Sequence, residues 1–157
     1  MREKLDTELL ASIIEIFDPV FKDYGFELQR EVTWDGHGEY SVSASKRDIA
    51  LNFYLVVIPM SRSYYCSLGL QLSGKLAREA THNQDRQNID VMVIAECLDP
   101  DYQRPPMKIQ TKQELQMILE REKEVLLKYC KGVLVGDVSI WSKVVNCLLE
   151  KRKSSGY

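Results

Sequence analysis

Ile49–Pro59, IALNFYLVVIP, decides the fold. One parity of this run carries Ile49, Leu51, Phe53, Leu55 and Val57. The other carries Ala50, Asn52, Tyr54, Val56 and Ile58. A strand that faces water on one side shows polar residues at every second position. A strand apolar on both parities belongs in the middle of a sheet. The β-branched and aromatic content favours strand over helix. Pro59 ends the ladder, because it has no N–H to donate.

The flanking segments alternate. Phe26, Leu28, Val32 and Trp34 share a parity within Phe26–Trp34, with Arg30 as the exception. Asp35-Gly36-His37-Gly38 has turn composition. Tyr40–Ser45 sets Tyr40, Val42 and Ala44 against Ser41, Ser43 and Ser45. Lys46-Arg47-Asp48 is a short polar break. Tyr64–Ser73 sets Tyr64, Cys66, Leu68, Leu70 and Leu72 against Tyr65, Ser67, Gly69, Gln71 and Ser73. Four successive strands with short links predict an antiparallel meander. One face is apolar, and Tyr40, Val42, Phe53, Cys66, Leu68 and Leu70 are expected buried together. The other face presents Glu27, Gln29, Glu31, Ser41, Ser43, Ser45, Asn52, Tyr54, Tyr65, Ser67 and Gln71.

Helical periodicity governs both ends of the chain. Leu5, Leu9, Ile13, Phe17, Val20 and Tyr24 recur at helical steps over residues 3–24. Asp18-Pro19 predicts a kink or restart, and Gly25 a left-handed stop. Residues 74–88 are polar and give the least structured reading. Residues 88–98 lie between strand and helix; Asn88 as cap and Asp90 in the first turn tip them to helix. Thr111-x-x-Glu114 is a capping box. It opens a helix striped by Leu115, Ile118, Leu119, Val125, Leu126, Tyr129 and Cys130, which Gly132 ends. Val133–Val135 form a link. Asp137 caps a last helix carrying Val138, Trp141, Val144, Val145 and Leu148, with Trp141 in the core. The expected fold is α+β: a four-stranded antiparallel meander sheet with N- and C-terminal helices packed on one face. Residues 1–150 form one domain, and 151–157 a disordered tail.

Composition narrows the function. The chain has 157 residues, of which 45% are hydrophobic and 28% charged, with net charge −2. Those proportions suit a globule with a real core. They lack the concentrated basic footprint of a nucleic-acid binder. Residues 1–48 hold 11 acidic and 6 basic side chains, and the basic excess sits at the other end, in Lys151-Arg152-Lys153 among others. Cys66, Cys97, Cys130 and Cys147 form no C-x-x-C pair and have no histidine at ligand spacing, so no metal site is expected. Cys130 and Cys147 fall on apolar helix faces and are read as core. The N-terminus MREKLDTELL is broken by charge and unlike a signal peptide, so reduced thiols and a cytoplasmic location are expected. No apolar run approaches the roughly 18 residues that span a bilayer.

The catalytic checklist stays empty. No Gly-rich phosphate loop or dinucleotide fingerprint is present, and no cofactor is implied. The two histidines, His37 in the turn and His82 in a polar loop, have no nucleophile placed beside them and are read as surface residues. Asp99 and Asp101 are read as loop caps. Glu27 and Glu31 share a strand face, but nothing local would separate their pKa values as acid–base catalysis requires.

Two motifs carry a resemblance. One is Pro19-Val20-Phe21-Lys22 followed by Gly25-Phe26. The other is Leu126-x-x-Tyr129 followed by Leu134-x-Gly136-Asp137-x-x-x-Trp141. Together they resemble small bacterial α+β domains, several of which look like immunity proteins of polymorphic toxin systems. The match covers both ends and the strand order but not residues 74–106. The resemblance implies a monomeric or homodimeric cytosolic protein that binds and blocks a toxin domain.

The leading expectation is therefore a non-enzymatic protein-binding module. The alternatives are a secretion chaperone holding an unfolded effector segment, and an enzyme of unrecognised type using the polar sheet face or residues 99–104. A dimer-forming apolar patch would favour the chaperone; a deep pocket with convergent polar groups would favour the enzyme. The expected partner surface is Glu31, Asn52, Tyr54, Tyr65 and Gln71, with Trp34 at its rim. Trp34 is read as core at a strand end ahead of an exposed anchor. The acidic first third would steer a basic partner, such as a basic toxin domain.

Overall fold

The computed structural model describes residues 4–81 and 86–154. It is α+β, with one antiparallel sheet and helices at both ends. The sheet has seven strands where four are expected from the alternation. These are β1 (Glu27–Leu28), β2 (Thr33–Trp34), β3 (Glu39–Lys46), β4 (Ile49–Ile58), β5 (Ser63–Ser73), β6 (Arg86–Asp90) and β7 (Lys108–Ile109). The order is β1-β3-β4-β5-β6; β2 also pairs with β3, and β7 with β5. β4 is central, paired to β3 at Phe53↔Val42 and to β5 at Phe53↔Leu68.

The helices are α1 (Leu9–Tyr24), α2 (Gly74–Thr81), α3 (Val91–Leu98), α4 (Lys112–Tyr129), the single turn α5 (Lys131–Leu134) and α6 (Trp141–Ser154). In α1, Leu9, Ile13, Ile16, Phe17, Val20 and Phe21 are buried at helical spacing. Phe17 meets Phe53 edge-on at 4.7 Å, so α1 lies on the middle of the sheet. Gly25 closes α1 at φ 76° as expected. Val42, Phe53, Cys66, Leu68 and Leu70 are buried on the same sheet face, with Tyr40 half-buried at its margin.

Several local expectations need correction. α1 continues through Pro19 without a restart, because the buried stripe runs on to Val20 and Phe21. A separate 3₁₀ turn, Leu5–Thr7, precedes it. Phe26–Trp34 is not one strand. Arg30 would have to enter the core at its alternating position; Gln29 N still donates to Ser43 O at 2.9 Å, and residues 30–32 then leave the ladder before β2. Residues 74–81 are helical, and Asp90 rather than Asn88 caps α3, accepting from Met92 N at 2.7 Å. His82 lies outside the described residues.

The capping box is present. Glu114 N donates to Thr111 Oγ1 at 3.1 Å, and the Glu114 carboxylate accepts from Gln110 N at 3.1 Å. The segment read as a link after Gly132 coils into α5 with Val133 and Leu134 buried. Asp137 caps a turn, accepting from Ser139 N at 3.0 Å, and α6 starts only at Trp141. Helix also replaces the expected disordered tail as far as Ser154; residues 155–157 lie outside the described residues. Lys46 reaches past the Phe26 ring to the carbonyls of Tyr24 and Leu134, placing positive charge at the C-terminal ends of α1 and α5.

Reduced thiols are not what the structure holds. Cys97 of α3 and Cys147 of α6 form a disulfide, with Cα atoms 5.8 Å apart and 50 residues between them. Side-by-side packing of α3 and α6 brings them together, which spacing along the chain does not reveal. Cys147 is thus a partly exposed cross-link rather than a core thiol. Cys66 and Cys130 are free and buried. The expectation of reduced thiols, drawn from the N-terminus, is thus corrected at Cys97 and Cys147. Among the described residues no helix is long and apolar enough to cross a membrane.

Closing a loop of this length contributes about 2–4 kcal/mol. Reduction is therefore expected to lower the thermal midpoint by several degrees and to release two thiols for labelling. An unchanged midpoint with both thiols labelled would show that the bridge carries no stability.

Candidate functional site: the open face of the sheet

The helices crowd one face of the sheet. Odd residues of β5 and even residues of β4 point to the other. On that face a hydrogen-bonded line of amides crosses four strands. Ser43 Oγ donates to Asn52 Oδ1 at 2.8 Å, Asn52 Nδ2 donates to Gln71 Oε1 at 3.0 Å and to Asn88 Oδ1 at 3.4 Å, and Asn88 Nδ2 donates to the Tyr54 hydroxyl at 3.2 Å. Register produces the line: Ser43, Asn52 and Gly69 are direct cross-strand partners, and Asn88 stands opposite Gln71.

Gly69 is what lets Asn88 reach inward. A Cβ built there would stand 2.5 Å from Asn88 Oδ1. Asn52 is only 7% exposed, although it lies on the face the helices leave uncovered. Its neighbours enclose it and fix the orientation of its carboxamide. Tyr54 and Gln71 are half-buried beside it.

The expected surface is thus assembled only in part. Asn52, Tyr54 and Gln71 share one network. Tyr65 lies farther along β5, where Arg104 donates to its hydroxyl at 3.4 Å. Burial, first, and the nearby Asp90 charge raise the Tyr65 pKa, so the phenol stays neutral. Glu31 is exposed and outside every strand. Trp34 is 48% exposed, which corrects the core reading. β2 is two residues long, and the indole packs against the Tyr40 ring at 4.4 Å. Sequence reasoning missed Ser43 and Asn88 as members. The signal for Ser43 was its position in the polar parity of Tyr40–Ser45. Asn88 could be placed only once β6 was known.

A second polar group lies against the gap along β5 between β6 and β7. Arg104 forms a 2.6 Å ion pair with Glu96, and these carboxylate contacts, with Asp90 beyond, outweigh burial to hold its pKa above the usual value. Burial raises the pKa of Asp90. On the core side, Glu122 of α4 is fully buried and accepts from Cys66 Sγ at 3.5 Å. Burial, reinforced by the Asp90 charge, pushes Glu122 up to about 8. The Cys66 thiol is likewise pushed well above its usual value, first by burial. Both groups are therefore neutral near pH 7, and a neutral thiol is a poor nucleophile. This pair holds a proton in the core, with no solvent-exposed edge on which a substrate could sit.

The remaining candidates are surface features. Asp99 caps its loop, accepting from Asp101 N at 3.0 Å, and binds the Tyr129 hydroxyl at 2.6 Å. His37 donates its backbone N–H to Asp35 within the turn, at 2.7 Å. Among the described residues no cluster of three or more His, Cys, Asp or Glu could hold a metal. No protein-family model matches the chain, and no curated protein or solved structure matches it.

Proposed function

We propose that this protein is a binding module that recognises another protein through the open face of its sheet. The enclosed Asn52 carboxamide carries this reading. A polar group locked on an uncovered face by Ser43, Gln71 and Asn88 makes a rigid platform, and a rigid platform loses little entropy on binding. Tyr54 and Tyr65 add contact area and hydroxyls at two points on it, and exposed Trp34 supplies an aromatic anchor at the margin. The partner suggested by the resemblance is a basic toxin domain, which the module would block. The acidic excess in residues 1–48 supports that choice through electrostatic steering.

The test is a pull-down from the source cells, followed by titration of the recovered partner against wild type and the Tyr54→Ala/Tyr65→Ala double variant. Loss of at least about 2 kcal/mol of binding, the hot-spot range, is expected with the fold retained. A loss below about 1 kcal/mol in a folded variant removes this face as the interface.

A further inference from the structure

We infer that the outer edge of β6 is a second docking site, which takes an extended, acidic segment of another protein as an added strand. The inference does not depend on the open-face reading; Asn88 belongs to both, its side chain to that network and its main chain to this edge.

β6 stands at the end of the sheet order, with no strand beyond it among the described residues. Ser73 donates its N–H to Asp48 O, so odd residues of β5 turn their backbone groups toward β4 and even residues toward β6. Leu70 and Leu72 thus exchange hydrogen bonds with their partners Ile89 and Gln87. The N–H and C=O of Asn88, between those two, point away from the sheet. No described backbone hydrogen bond occupies them.

A groove of about 360 Å³ is lined by Gln87, Asn88 and Ile89 together with Val145, Leu148, Leu149 and Arg152 of α6. Gln87 and Ile89 belong to the core face of β6 and Asn88 to the open face. A groove lined from both faces of a strand runs along the edge of that strand. One wall is apolar, and Leu149 is 50% exposed there. These are the two requirements of strand addition: free main-chain groups for affinity and a side-chain wall for specificity.

Charge selects the occupant. The last turn of α6 carries Lys151, Arg152 and Lys153, and Arg152 lines the groove itself. A second copy paired about a two-fold axis at Asn88 would bring two such basic turns together, and like charges juxtaposed at an interface oppose association. An extended segment bearing carboxylates complements them.

The probe is a short synthetic peptide of alternating threonine and valine ending in aspartates, followed by fluorescence anisotropy. It is expected to bind, and its counterpart ending in lysines to bind at least about tenfold more weakly. Two further versions are N-methylated on one or the other alternating set of residues. One of the two should lose binding, because the methyl groups remove the donors facing the β6 edge, and the other should keep it. Leu149→Asp should weaken the aspartate peptide by about tenfold with the thermal midpoint retained. The proposal is overturned if the aspartate peptide does not bind, if both N-methylated versions bind like the parent, or if the lysine peptide binds as well. It is also overturned if sedimentation shows a dimer that Leu149→Asp dissolves, for then the edge belongs to a second copy.

Discussion

Trp141→Ala is expected to lower the unfolding free energy by about 3–5 kcal/mol, the range for deleting a large aromatic from a core. Trp141 is fully buried at the first residue of α6, and its Nε1 donates to Gln87 Oε1 at 3.1 Å. The indole therefore joins α6 to the core face of β6 by packing and by a directed hydrogen bond. Trp141→Phe separates the two: it keeps most of the packing, so it should cost less, and the remainder reports the hydrogen bond at about 1 kcal/mol. The disulfide from Cys97 to Cys147 tethers the same helix to α3. Urea unfolding should be run with and without reductant, because neighbouring restraints on one element couple. A midpoint unchanged in Trp141→Ala under reducing conditions would show that α6 contributes nothing to global stability.

The sheet's centre was legible in the sequence because local pattern and tertiary environment agree there. Residues 49–58 are apolar on both parities and form the middle strand. The serines of β3 and the small polar residues of β5 mark a water-facing side. What escaped depends on contacts distant in the chain. β6 and β7 are short and follow no clean alternation; they are strands because β5 offers them an edge. The Cys97–Cys147 bridge follows from helix packing alone. On the site, periodicity placed Asn52, Tyr54 and Gln71 on one face, and the structure joins them. It could not show that Gly69 makes room for Asn88, nor that Glu31 drops out once the ladder breaks at Arg30. Glu122 is the instructive omission. It stands four residues after Ile118 and three before Val125, so the stripe of α4 predicts its burial. Reading only the apolar members of that stripe hid the one ionisable group among its buried residues.

That group carries the largest pH effect expected here. Glu122 has a folded-state pKa of about 8 against an ordinary carboxyl value of 4.5, because burial disfavours its charge and Asp90 adds like-charge repulsion. The unfolded chain therefore releases this proton at lower pH than the folded one does. Below about pH 4.5 both states are protonated and ionisation of Glu122 adds no penalty; as pH rises toward 8 the folded state must hold the proton against solution, or bury a charge. Each unit in that window costs about 1.4 kcal/mol, so the penalty is about 3 kcal/mol at pH 7 and about 5 kcal/mol at its limit. Burial and the Asp90 charge at the end of β6 raise it, and the hydrogen bond from the Cys66 thiol of β5 lowers it without reversing the sign. Glu122→Gln keeps the volume and an oxygen to accept from Cys66 but has no proton to lose. Its stability should match wild type near pH 4 and exceed it progressively up to pH 8, measured by urea unfolding at each pH. A difference between the two proteins that stays flat from pH 4.5 to 8 would mean that Glu122 titrates alike in both states and that the core holds a charge there after all.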